Sequence, residues 1–184
     1  MYLAYGVIGV AIVLMIVLIA KTEILKDTSA LANGKPYSLS RTQLALWTVI
    51  IFCCFIYLWG KEDMIISDKL KLGRTALILL GISTATTALG RTIDGSDEKK
   101  LQAGNVQSLH QNNPTEGFLW DILSDKDGIS IHRFQNVMFS IVLMAAFVIH
   151  VAEKNLMPEF DDTLLILSGV SSVGYLGVKL SENR

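Results

Sequence analysis

The chain uses one pattern twice, and the pattern lies inside runs too apolar for a soluble fold. Ser38, Leu39, Arg41, Gln43, Trp47 and Phe55 recur 92 positions later as Ser130, Ile131, Arg133, Gln135, Phe139 and Phe147. Thr75, Leu77, Ile78, Leu79, Gly81 and Ser83 recur 88 positions later as Thr163, Leu165, Ile166, Leu167, Gly169 and Ser171. The change in offset falls in the connection between the two blocks. Each block holds an apolar run of the length that crosses a hydrocarbon core, about 20 helical residues. A repeated pair of such runs predicts an all-α membrane protein in which one helical hairpin occurs twice.

Five runs qualify: residues 3–20, 44–59, 72–90, 134–151 and 163–178. The chain is 51% hydrophobic and 18% charged, less charge than a soluble domain of 184 residues carries. The expected organisation is an N-terminal transmembrane helix and linker (1–36), a first hairpin (37–90), a loop with a short amphipathic helix (91–129), and a second hairpin with a tail (130–184). The first run has no preceding cation and no small-residue cleavage pattern after it, so it reads as a retained helix. A net charge of −1 argues against a nucleic-acid partner.

Lys and Arg set the expected orientation. Eleven of the sixteen lie in 21–43, 91–133 and 179–184, and five lie at Lys61, Lys69, Lys71, Arg74 and Lys154. The majority side is read as cytoplasmic, with the N-terminus outside and the C-terminus inside. Both hairpins then run the same way, a parallel rather than an inverted repeat.

Polar residues near and within the spans are the candidate sites. Arg41 and Arg133 stand in first turns, where a cation opposes the helix dipole, and Gln43 and Gln135 follow them. Two readings fit: anchors to lipid phosphate, or a ring at the inner mouth of a homo-oligomer that binds an anion, a nucleotide or a partner carboxylate. Gly81, Ser83, Thr84 and Thr87 in one helix, and Gly169, Ser171, Ser172 and Gly174 in its counterpart, form small, polar faces. They serve either close helix packing, as the Gly81/Ala85 and Thr86/Gly90 spacings suggest, or the wall of a narrow hydrated path. Phe118, Trp120 and Leu123 mark a short amphipathic helix for the membrane surface or a partner subunit. The stretch from Asp94 to Pro114 has the composition of a mobile segment.

Other motifs dissolve on inspection. Asp125-Lys126-Asp127-Gly128 resembles part of a calcium loop, but that register puts Leu123 and Phe134 where acidic ligands belong, so it reads as a turn ending at the Ser130 N-cap. Met157-Pro158-Glu159 reads as the start of the last helix. Cys53 and Cys54 are adjacent and read as packing residues. No metal spacing, phosphate loop or nucleophile pairing is present in the sequence, so neither an enzyme nor a cofactor is expected.

The run from Tyr37 to Trp47, the segment Asp121 to Gln135 and Met157-Pro158-Glu159-Phe160 resemble a widespread group of uncharacterised bacterial membrane proteins with repeated SLxRxQ and GIS helix-pair motifs. The resemblance covers roughly residues 37 to 178 and implies a bacterial inner-membrane location. The expected function is a homo-oligomeric channel or pore-type effector gated or recruited at its cytoplasmic face, or else a non-conducting anchor or scaffold for a cytoplasmic protein partner. Lipids are partners in either case.

Overall fold

A computed structural model describes residues 1–62, 72–104 and 109–182. The chain is an all-α membrane protein: five helices are long and apolar enough to span a bilayer. These are α1 (Tyr2–Lys21), α2 (Leu39–Lys61), α3 (Arg74–Gln102), α5 (Ile131–Lys154) and α6 (Asp162–Glu182). Between α3 and α5 lie a turn of 3₁₀ helix (His110–Asn112), the short helix α4 (Phe118–Leu123) and a two-stranded hairpin of β1 (Ser124–Asp125) and β2 (Gly128–Ile129).

The repeat begins before the helices. Ser38 and Ser130 are the N-caps of α2 and α5, with backbone angles of −92°/122° and −90°/124°. Each is delivered by an antiparallel turn-back: Lys26 bridges Tyr37 ahead of α2, and β1 pairs with β2 ahead of α5. The Ser38 N–H donates to the Leu25 carbonyl at 2.7 Å, and the Ser130 N–H donates to the Leu123 carbonyl at 2.9 Å. Leu25 and Ser38 are 13 positions apart, Leu123 and Ser130 only seven. That difference in loop length hides this part of the repeat from a fixed offset. In the shorter loop Gly128, at φ 107°, takes a conformation that side chains disfavour, and Asp125 accepts the Asp127 N–H across the turn.

The hairpins stack like on like. Within each, α2 packs on α3 and α5 on α6; between them, α2 packs on α5 and α3 on α6. The shared core holds Trp47, Ile51, Leu79, Leu143, Met144 and Phe147, with Trp47 and Phe147 edge to face at 6.0 Å. A two-fold axis would bury the same face of both hairpins. Instead, equivalent residues have opposite fates. Leu165 is 6% exposed but Leu77 is 58%, and Met144 is 8% exposed but Phe52 is 44%. Gln43 is buried while Gln135 is exposed. The hairpins are therefore related by a sideways shift, which leaves one unlike face free on each. Helix α1 lies against α2, and Ala4 is its one buried residue. Gly60 allows the crossing: a Cβ there would overlap that of Ala4.

Two expectations are corrected. Helix α3 continues twelve residues beyond Gly90, because Asp94 and Asp97 point into the fold and are buried, so the first part of the supposed mobile segment is ordered helix. Residues 105–108 of that segment lie outside the described residues. Helix α6 begins at Asp162, not at Pro158. Pro158 is buried in the turn beside Gly73, and Asp161 caps α6 by accepting the Thr163 N–H at 2.8 Å. The two small-residue spacings of α3 also differ: Gly81 and Ala85 are exposed, whereas Thr86 and Gly90 are buried, with Gly90 beside Ser40 of α2.

Candidate functional site

The polar side chains concentrate where α2 and α5 begin and α3 and α6 end. Asp94 lies 20 residues along α3 from Arg74, about 30 Å at 1.5 Å per residue, close to one hydrocarbon boundary. There the Lys179 ammonium of α6 donates to two carboxylates. It is 3.0 Å from Asp94 Oδ1 and 3.1 Å from Asp27 Oδ2, the latter on the connection before α2. Lys179 is 4% exposed and Asp94 1%. An isolated charge could not persist in such a place, so the three groups must be read as a unit. Burial pushes the Asp27 carboxyl up, but the field of Lys179, aided by Arg41, outweighs it and holds Asp27 below its ordinary value. Arg41 is fixed nearby, donating to Thr28 Oγ1 at 2.9 Å.

Deeper in the bundle runs an uncharged chain of hydrogen bonds. Gln43 Nε2 donates to Asn136 Oδ1 at 2.7 Å and to Ser140 Oγ at 2.8 Å. Asn136 Nδ2 donates onward to the Ser171 carbonyl at 3.3 Å. This links α2, α5 and α6, and without water the amides have no cheaper arrangement. Thr87 Oγ1 reaches the Ser40 carbonyl at 3.1 Å and so ties α3 to the start of α2.

Over this end sits a cap. Asp121 of α4 accepts the Tyr37 N–H at 3.0 Å, the Thr115 hydroxyl, and the Glu116 N–H at 3.0 Å. Asn112 Oδ1 accepts from the Ser29 hydroxyl and the Ala30 N–H. The loops before α2 and before α5 are thereby clamped to each other. Phe118 packs edge to face on Tyr37, while Leu119, Trp120 and Ile129 stay exposed. A polar recess of about 290 Å³ opens between the two loops, lined by residues that include His110, Glu116, Trp120 and Lys126.

The sequence candidates separate into groups. Arg41 and Arg133 lie at the same end, but Arg133 is buried with its guanidinium 5.4 Å from the Tyr175 ring. Gln43 joins the internal chain and Gln135 faces outward, so the two Arg/Gln pairs do not form one site within a single copy. Ser83, Ser171 and Ser172 are buried in helix packing, Thr87 and Gly174 are half-buried, Gly169 approaches Ile82, and Gly81 and Thr84 are exposed. Leu123 packs beside Ile122 and Tyr175 beneath the cap. Among the described residues, no three His, Cys, Asp or Glu side chains gather closely enough to hold a metal. Sequence reasoning missed the Asp27–Lys179–Asp94 cluster because all three lie just beyond the apolar runs. The signal was present: Lys179 follows Arg91 by the same 88 positions as the rest of the helix.

These features define a multi-pass membrane protein built from two stacked helical hairpins, closed at one end by a buried ion cluster and a structured cap. No family model, curated protein or solved structure matches the chain.

Proposed function

We propose that the chain is a non-conducting membrane scaffold that holds its cap toward a cytoplasmic protein partner. The observation that carries this reading is the filled bundle. Trp47, Ile51, Leu79, Met144 and Phe147 occupy its interior, and Asp27, Lys179 and Asp94 close its capped end. A hydrated path needs a wet lining, yet Ser83, Ser171 and Ser172 are buried between helices. The cap suits a docking role because Asp121 and Asn112 fix its backbone while Leu119, Trp120 and Ile129 stay exposed. Aromatic and aliphatic anchors on a rigid frame are the usual centre of a protein interface. The Lys/Arg bias supports a cytoplasmic cap with the N-terminus outside. The sequence resemblance supports a bacterial inner membrane.

A channel reading rests on a different surface. Thr48 and Thr84 are exposed on one side of the first hairpin, below Arg41 and Arg91, and a conduit could form there only between copies. One recording separates the two. Purified protein in planar bilayers, with and without cell extract, should stay silent, while Leu119→Asp/Trp120→Asp should abolish capture of a cytoplasmic protein in membrane pull-downs. Conductance that Thr87→Leu reduces would overturn the scaffold.

A further inference from the structure

We propose that the chain binds a second copy of itself head to tail, the free face of one molecule's second hairpin seating in the groove on the next molecule's first hairpin. The inference goes beyond the scaffold reading, which does not depend on it.

The groove has a volume of about 430 Å³, lies beside α2 and α3 with Met15 of α1 and Ile24 along one edge, and is lined from the first hairpin chiefly by Leu44, Thr48 and Thr87 with Arg41 and Arg91 at its capped end. Applying the repeat offsets, these five positions become Asn136, Ser140, Tyr175, Arg133 and Lys179. Those residues form the surface by which the second hairpin binds the first: Asn136 and Ser140 accept from Gln43, and Lys179 meets Asp94 and Asp27. The groove is thus a second example of a binding surface already in use inside the molecule.

Its complement is also duplicated. The first hairpin presents Gln43, Cys54 and Ile82 to the second, and the equivalents on the second hairpin are Gln135, Ala146 and Val170, all exposed. Gln135 is telling, because it is exposed one turn into a spanning helix, and an amide that enters hydrocarbon needs partners that a neighbouring helix would supply. Carried across copies, its contact falls on Thr48, the counterpart of Ser140. The charges match as well. Asp27 lies two residues beyond Leu25, and Asp125 two beyond Leu123, whose carbonyls receive the two N-cap serines. Asp125 therefore stands to Arg91 of the next copy as Asp27 stands to Lys179. Helix α1 borders the groove at Met15, beside Ala45 of α2, and otherwise lies over the Leu46 and Val49 side of α2, so the α3 side of the groove stays open. Because the two faces are unlike, the contact is heterologous and builds rings or filaments rather than two-fold dimers.

The test uses the full chain in proteoliposomes, with Cys53→Ala and Cys54→Ala and new cysteines at Thr48 and Gln135. On oxidation the double variant should give a ladder of dimer, trimer and higher species. Either single variant should remain monomeric, and a mixture of the two should stop at dimers. Thr84→Trp, exposed three residues along α3 from the groove's Thr87, should abolish the ladder. Ala85→Trp should not, because Ala85 and its equivalent Val173 are both exposed to lipid. Native mass spectrometry of Thr84→Trp and Ala85→Trp with Cys53 and Cys54 retained repeats the comparison should the cysteine-free chain fail to fold: loss of multimers in the first alone is expected. Cross-linking within either single variant, a ladder indifferent to Thr84→Trp, or monomers at every protein density would overturn the proposal.

Discussion

Replacing Lys179 with methionine keeps the length and apolar stem of the side chain but removes the only cation within ion-pair distance of Asp94 among the described residues. Asp94 is buried, and Asp27 loses its partner at 3.1 Å. Removing one member of a buried ionic group costs about 3–5 kcal/mol, because the remaining charge keeps its desolvation penalty without compensation. Adding Asp94→Asn should return most of that loss. The amide is neutral, and Asp27, with Arg41 close by, is left as the single charge to satisfy. The double variant should therefore lie within about 2 kcal/mol of the parent, far from the sum of the single losses. Reversible unfolding in mixed micelles, followed by circular dichroism, gives all four corners of the cycle. A loss below about 1 kcal/mol for Lys179→Met, or additive losses in the double variant, would show that water rather than the carboxylates carries the lysine charge.

Gln43→Leu should cost about 1–2 kcal/mol by the same assay, since it removes two interhelical hydrogen bonds of the kind worth about 0.6 to 1.7 kcal/mol each in a bilayer; an unchanged midpoint would count against a dry polar chain. Gly60→Leu should push α1 away from α2, seen as loss of disulfide cross-linking between cysteines placed at Ile8 and Tyr57, which line one cleft, with the other four helices still folded. Asp121→Ala should raise hydrogen exchange over residues 115–123 and leave exchange in α2 and α5 unchanged, because Asp121 clamps the cap and not the bundle. Single cysteines at Lys126 and Asn155 should react with an impermeant reagent from opposite faces of oriented vesicles, and labelling of both from one face would refute the parallel-hairpin topology.

The spans and the hairpin repeat were legible because hydrophobic length and a recurring Ser-x-x-Arg-x-Gln spacing survive in one dimension. How the hairpins meet was not. Gln43 and Gln135 are the same residue at the same place in the repeat, and nothing local says that one is buried and the other exposed; the sideways shift decides it. Asp94 looked like part of a solvated loop because charge and glycine around it mimic disorder. Its burial depends on Lys179, 85 positions away, and on Asp27. Pro158 was misplaced for the opposite reason. Its context suits a helix start, yet contact with Gly73 in the first hairpin holds it in the turn.

The polar rows along α3 and α6 also bear on how the chain enters a membrane. Over an 18-residue stretch of each helix, mean hydropathy is 1.9 in both α2 and α5 but 1.4 in α3 and 1.5 in α6. Each hairpin therefore joins a helix that partitions readily to one that partitions less well and whose Ser83 and Thr86, or Ser171 and Ser172, are buried only after folding. The weaker helix of each pair is best retained in lipid when its stronger neighbour is already there. A ribosome that has released α2 but not α3 therefore presents only half of an insertion unit.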